Sequence, residues 1–204
     1  MQEKCEAFIA ANKYLQKETL PFGVGVVASF NEENAKRDSI RLQHLDTQNE
    51  WYLIALPDRS SFLQLDSAPT VNEKTMPLLF SPDAMRLLFT DEARLFFKGL
   101  DAYIQSNDIS DKETVAKEEI AQFYKEKADF LKSQPSAQAM IDFITSKARN
   151  NDIAITSSFL AHFGVPGVIY SENNEERLLI FDAKHSISIL RVHSQQTANS
   201  LFAQ

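Results

Sequence analysis

The sequence predicts an α+β fold in which a block of helices, about residues 81–149, separates two β-rich ends. Three observations carry that expectation. The stretch 158–190 reads as one compact β unit. It begins with the end of a helix at Gly164 and continues with the β-branched Val165, Val168 and Ile169 around a Pro166-Gly167 bend. A polar turn over 171–176, the unbroken apolar run Leu178 to Phe181, and a strand alternating Ile187 and Ile189 with Ser186 and Ser188 complete it. The second observation is that the runs 22–30 and 50–57 are apolar and strand-like, the latter stopped by Pro57. The third is that residues 81–149 keep helical periodicity throughout, with start and stop signals between the helices.

Taken in order, residues 2–17 read as an amphipathic helix with Cys5, Phe8, Ile9 and Leu15 near one face, ended by Thr19-Leu-Pro21. The run Phe22 to Phe30 is a strand with two glycines, Gly23 and Gly25, at its start. Asn31 is a plausible N-cap for a helix reaching about Leu45, with Glu32 and Glu33 in its first turn and a thin inner stripe of Ala35, Ser39 and Leu42. Glu50 to Leu56 is an aromatic and apolar strand, and Ser61 to Asp66 alternates as a more exposed one; 67–80 reads as loop. Ser81-Pro82 caps the first middle helix, whose stripe Met85, Leu88, Phe89, Phe96, Leu100 and Tyr103 breaks near Thr90-Asp91. Ser110-Asp-Lys-Glu113 reads as a capping box before the stripe Ala116, Ile120, Phe123, Tyr124, Lys127 and Leu131. After Pro135, Ser136 to Arg149 forms a further helix with Met140, Ile141 and Ile144 inward.

Composition bounds what the chain does. Its 204 residues suit one domain with an insertion, and 44% hydrophobic with 24% charged residues are globular values. A run of about 18 apolar residues is missing, and the charged N-terminus is not a secretory signal, so neither a membrane span nor export by that route is expected. A single cysteine, Cys5, excludes an internal disulfide framework and fits a reducing compartment. The net charge of −7 argues against nonspecific nucleic-acid binding, which draws on cations at phosphates.

Motifs for chemistry are sparse. The histidines at 44, 162, 185 and 193 form no HExxH or HxH pair, so no metal is expected, and His162 on an apolar stripe reads as a core residue. No GxGxxG, Walker loop or GxSxG occurs, and Ser157-Ser158 lacks glycine flanks. Cys5 reads as packing. Glu172, Glu175 and Glu176 cluster beside Arg177, either as a polar hairpin tip or as a catalytic or substrate-orienting acid next to the central strand.

Three blocks carry a resemblance. Phe22-Gly-Val-Gly-Val-Val-Ala-Ser-Phe-Asn-Glu-Glu-Asn-Ala35 is similar to F-G-x-G-[LI]-Y-F before a polar-capped helix. Trp51-Tyr-Leu-Ile-Ala-Leu-Pro-Asp58 with Phe62-Leu-Gln-Leu-Asp66 is similar to L-Y-x-V-x-I-P-D and a strand ending in Leu-x-x-Asp. Ser158 to Tyr170 with Leu178-Leu-Ile-Phe-Asp182 and Ile187-Ser-Ile189 is similar to L-x-x-x-G-I-x-G-I-x-Y, N-[YF]-V-V-F-D and I-x-I. In order, spacing and insertion, over about residues 22–190, these resemble the ADP-ribosyltransferase-like domains of large polyvalent proteins of phages and mobile elements, and of related bacterial effectors.

That resemblance implies a split mixed β core with helices, gripping NAD in the cleft between two halves. It places cofactor contacts at Gly23, Gly25, Val27 and Arg177 and a catalytic acid at Glu176 or Glu175. A first-strand His or Arg would hold the ribose, but a helix is expected before Phe22. The nicotinamide-stacking Tyr is replaced by Val27, which has no aromatic face, and an Asn by Arg177, which has no acceptor. The expectation is therefore a degenerate scaffold binding a protein partner, as an effector or mobile-element accessory protein in bacterial or host cytosol. The exposed face of helices 81–149 is its expected partner surface. The competing expectation is an active mono-ADP-ribosyltransferase using NAD, with Glu175 or Glu176 as orienting acid and Arg41 or His44 holding the ribose.

Overall fold

A computed structural model describes residues 5–11, 17–41, 50–69, 76–107 and 111–194. It is mixed α/β, with a mixed sheet and seven α-helices among the described residues. The first element overturns an expectation. Cys5–Ala11 is a strand, β1, and not a helix. Seven residues of β1 pair antiparallel with β4 (Glu50–Leu56), from Cys5 opposite Leu56 to Ala11 opposite Glu50. Ala7 and Ile9 are fully buried at a spacing of two. In so short a stretch Cys5, Phe8 and Ile9 satisfy a helical template while Cys5, Ala7 and Ile9 satisfy an alternating one, and the long partner strand decides between them.

β2 (Glu18–Leu20) pairs with β3 (Gly23–Ser29), and β3 runs antiparallel to β7 (Glu175–Ile180). β7 forms a hairpin with β6 (Gly167–Glu172), and the two-residue β5 (Leu63–Gln64) lies parallel to β6. β8 (Ser188–Ser194) pairs with β4, so the order is β5-β6-β7-β3-β1-β4-β8, with β2 beside β3. β1 and β3 meet at a single register pair, Phe8 opposite Ser29, whereas β3 and β7 share four. The sheet is thus two ladders, β5-β6-β7-β3 and β1-β4-β8, joined by a narrow seam.

Helix α1 (Glu32–Arg41) packs on the β1–β4 ladder, where the Trp51 indole N–H donates to Glu32 at 3.1 Å. It ends at Arg41, and its expected continuation to Leu45 lies outside the described residues. The helical block holds α2 (Pro82–Leu88), α3 (Thr90–Ser106), α4 (Lys112–Lys132) and α5 (Ala137–Lys147), followed by α6 (Ile153–His162). Ser81 caps α2 as its spacing predicts, and the break before Thr90 falls at Phe89. The cap of α4 is Asp111, which accepts from the Thr114 N–H at 3.1 Å; Ser110 lies outside the described residues. The aspartate at this point supplies the stronger acceptor.

These helices pack on the face of β3, β6 and β7 that carries Val168, Tyr170 and Leu179. On the opposite face Ala7, Ile9 and Ile54 from one ladder meet Val26, Leu178 and Ile180 from the other. A short helix, α7 (Ala183–Ser186), adds Ala183 to that second core. Burying about a side chain's worth of apolar surface per residue contributes roughly 1.5–3 kcal/mol each, so this second core, and not the seam, holds the two ladders together.

α6 corrects another expectation. His162 is exposed, Ile155 is 44% exposed, and the buried side is Thr156, Ser157 and Leu160. The buried hydroxyls explain this orientation. Ser157 Oγ accepts from the Val24 N–H at 2.8 Å, and the Thr156 and Thr145 hydroxyls lie 3.0 Å apart. The helix ends as Gly164 predicts, with φ at 83° and the Val165 N–H donating to the Leu160 carbonyl at 2.9 Å.

Candidate functional site

The β6–β7 hairpin positions the predicted acids. Its turn is only Asn173-Asn174, with φ of 53° and 62°, the left-handed conformation that a two-residue hairpin demands and asparagine tolerates. The strands therefore extend further into the polar stretch than 171–176 suggests. This register sets Glu172 opposite Glu175, Ser171 opposite Glu176, and Tyr170 opposite Arg177. Two carboxylates directly opposed would repel. Arg177 relieves that repulsion: Nε lies 3.7 Å from Glu172 and Nη2 3.9 Å from Glu175. Its Nη1 donates to Asp38 on α1.

Arg177 is 7% exposed, unusual for this residue type unless paired. Burial opposes its charge, but the hydrogen bond and charge of Asp38, with Glu172, outweigh burial and hold the guanidinium more firmly protonated than in water. Nε is buried without a hydrogen-bond partner among the described residues, so Glu172 acts on it through charge alone. Burial, then the charge of Glu172, pushes the Tyr170 phenol well above its ordinary range, with Arg177 acting in the opposite sense. Tyr170 is a neutral wall of the clamp, its ring 4.8 Å from Phe22. Arg37 adds a second contact to Glu175 at 3.4 Å, while donating to Asn34 Oδ1 at 2.5 Å.

Glu176 points to the other side of β7. It accepts from Arg59, whose guanidinium lies 4.8 Å over the Phe30 ring. Arg59 opens a 3-10 turn capped by Asp58, whose carboxyl is held below its usual range by the side-chain and backbone hydrogen bonds of Ser60. Three guanidiniums, Arg37, Arg59 and Arg177, thus engage Asp38, Glu172, Glu175 and Glu176. Chemically the arrangement is a clamp. Every acid that the sequence offered for catalysis is ion-paired.

The structure brings Glu175, Glu176 and Arg177 together and leaves the predicted glycines elsewhere. Ser29 faces Arg177, so Gly25 lies four residues away along β3, about 14 Å. A Cβ on Gly25 would sit 2.3 Å from the Ile180 carbonyl oxygen, and one on Gly23 2.4 Å from the Phe181 ring. Gly25 thus lets β3 lie against the backbone at the end of β7, and Gly23 makes room for the Phe181 ring. Val27 is half-buried against the helical core. β1, the strand before Phe22, runs from Cys5 to Ala11 and contains no His or Arg. Arg41 is the last residue of α1, and His44 lies outside the described residues. The residues present do not fit NAD as the resembling family holds it.

Asp38, Arg37 and Arg59 escaped the sequence reading. Asp38 follows the inward Ala35 by three residues, a spacing that places it on the inner edge of α1 and was available as a signal. Arg59 carries none, because its partner is 117 residues away. Among the described residues no group of three or more His, Cys, Asp or Glu side chains is arranged to hold a metal, and no helix is long and apolar enough to cross a membrane. Compared with known proteins, the chain matches no family model, no curated protein and no solved structure.

Proposed function

We propose that this chain is a degenerate ADP-ribosyltransferase-like scaffold that acts by binding another protein, as a bacterial effector or a mobile-element accessory protein. The observation that carries the reading is the Arg177 clamp. Where the resembling family places a hydrogen-bonding side chain toward the reacting ribose, this chain places a buried cation enclosed by Asp38, Glu172 and Glu175. Two further features support it. The sheet is split at a one-pair seam, as that family's scaffold is, and its first strand offers no cation for a ribose. In this reading the chain works without NAD, in the bacterial cytosol or in the cytosol of a host cell, and takes a protein partner.

The test is calorimetric titration of purified protein with NAD to about millimolar concentration, beside labelling of a lysate with a fluorescent NAD analogue. The expected result is neither binding nor labelling. Binding with labelling overturns the reading, and Glu176→Gln, alone and with Glu175→Gln, then becomes the next variant to assay.

A further inference from the structure

β8 ends the sheet order. β4 pairs along one edge of it, and among the described residues no strand pairs along the other. Such an edge presents backbone N–H and C=O groups as a template for another extended chain. The ladder with β4 is interrupted: Ile189 faces Ile54 and Arg191 faces Leu53, which leaves Leu190 as the additional residue of a bulge. Ile189 and Leu190 are 56% and 52% exposed, adjacent apolar side chains on an edge strand that carries the exposed Arg191 beside them. The bulge shields the edge from long regular pairing, so a segment added here is short.

Charge decides what kind of segment fits. The chain holds 28 acidic against 21 basic residues, yet β8 carries Arg191 and no acid, and Lys184 on α7 adds a second cation, the Asp182 before it being engaged by His185 at 2.6 Å. Lys184 and Arg191 are exposed. A second copy of β8 laid antiparallel on this edge would bring two such basic stretches together, which argues against self-pairing. An acidic strand does not meet that objection.

We propose that the edge of β8 away from β4 takes up a short, extended, acidic segment of a partner protein by strand addition. Ile189 and Leu190 pack against its apolar side chains, and Lys184 and Arg191 pair with its carboxylates. This rests on the reading of the chain as a protein-binding module.

The test uses the full chain and three short fluorescent peptides: one alternating glutamate and valine, one alternating lysine and valine, and the first with a central proline. Anisotropy should show several-fold tighter binding of the glutamate peptide than of the lysine peptide, a preference that shrinks with added salt. The proline peptide should bind weakly, because it lacks a ladder N–H. Hydrogen exchange should slow over 188–194. Arg191→Glu should move the preference toward the lysine peptide; if circular dichroism shows that variant unfolded, Lys184→Glu on α7 makes the same test. Equal binding of all three peptides, protection confined to α2–α5, or self-association through β8 overturns the proposal. Its failure is separable from failure of the scaffold reading: absent peptide binding with absent NAD labelling removes only this surface, whereas NAD labelling removes the reading beneath it.

Discussion

Replacing Asp38 by asparagine keeps the shape of the clamp and removes the charge that Arg177 donates to. The two partners differ in their access to water. The Arg177 side chain is 8% exposed and that of Asp38 is 27% exposed. Removing one partner of a buried pair costs about 3–5 kcal/mol, because the other charge stays buried. Glu172 and Glu175 remain within 3.7 and 3.9 Å of Arg177, which places Asp38→Asn at the lower end, about 3 kcal/mol. Arg177→Met removes the buried charge itself and keeps an apolar stem in its place. The carboxylates left behind border water, and the renewed Glu172–Glu175 repulsion costs a few tenths of a kcal/mol, so the expected loss is about 1 kcal/mol. For a chain of this size about 1 kcal/mol moves Tm by roughly 2–4 °C. Scanning calorimetry should therefore find Asp38→Asn lowered by about 6–12 °C and Arg177→Met by about 2–4 °C. The double variant should be more stable than Asp38→Asn alone. An Arg177→Met loss equal to or larger than that of Asp38→Asn, or additive losses, would refute the clamp.

Gly25→Ala should lower the urea midpoint by an amount equivalent to about 1–3 kcal/mol or more, since its Cβ meets backbone of Ile180 at 2.3 and 2.7 Å; an unchanged midpoint would show that β3 and β7 have room to spare. Ser157→Ala leaves the Val24 N–H without its acceptor and should cost about 1–3 kcal/mol by the same measurement. Glu92, on α3, is held below its ordinary 4.5 first by its hydrogen bond to Lys147 at the end of α5. Its contribution to stability is present above pH 4.5 and lost as pH falls through the lowered value, so Glu92→Gln should flatten the acid limb of a pH–stability curve. Burial, then the hydrogen bond to Glu50, pushes the Tyr52 phenol up to about 12. The stability it contributes is present below pH 10 and lost as pH rises through 12, and Glu50→Gln should bring its ultraviolet titration down toward 10.

Where local chemistry and tertiary demand agreed, the sequence by itself determined the outcome. The Ser81-Pro82 start, the break before Thr90, the Gly164 cap and the buried run from Leu178 to Phe181 each follow from backbone sterics or apolar content within a few residues. So does the α+β class with its helical block between β-rich ends. Tertiary structure alone decided the rest. Cys5–Ala11 is ambiguous between two periodicities until β4 lies alongside it. α6 turns Ile155 and His162 outward because its hydroxyls have partners on β3 and α5, and those partners are remote in sequence. The candidate site divides the same way. Glu172, Glu175, Glu176 and Arg177 are legible as a cluster because they are neighbours in the chain. That Arg177 is buried, and that Asp38, Arg37 and Arg59 close on the hairpin from 117 to 139 residues away, depends on how α1 and the 3-10 turn pack against it. A one-dimensional pattern records which side chains are charged, and only packing assigns each charge its partner and its distance from water.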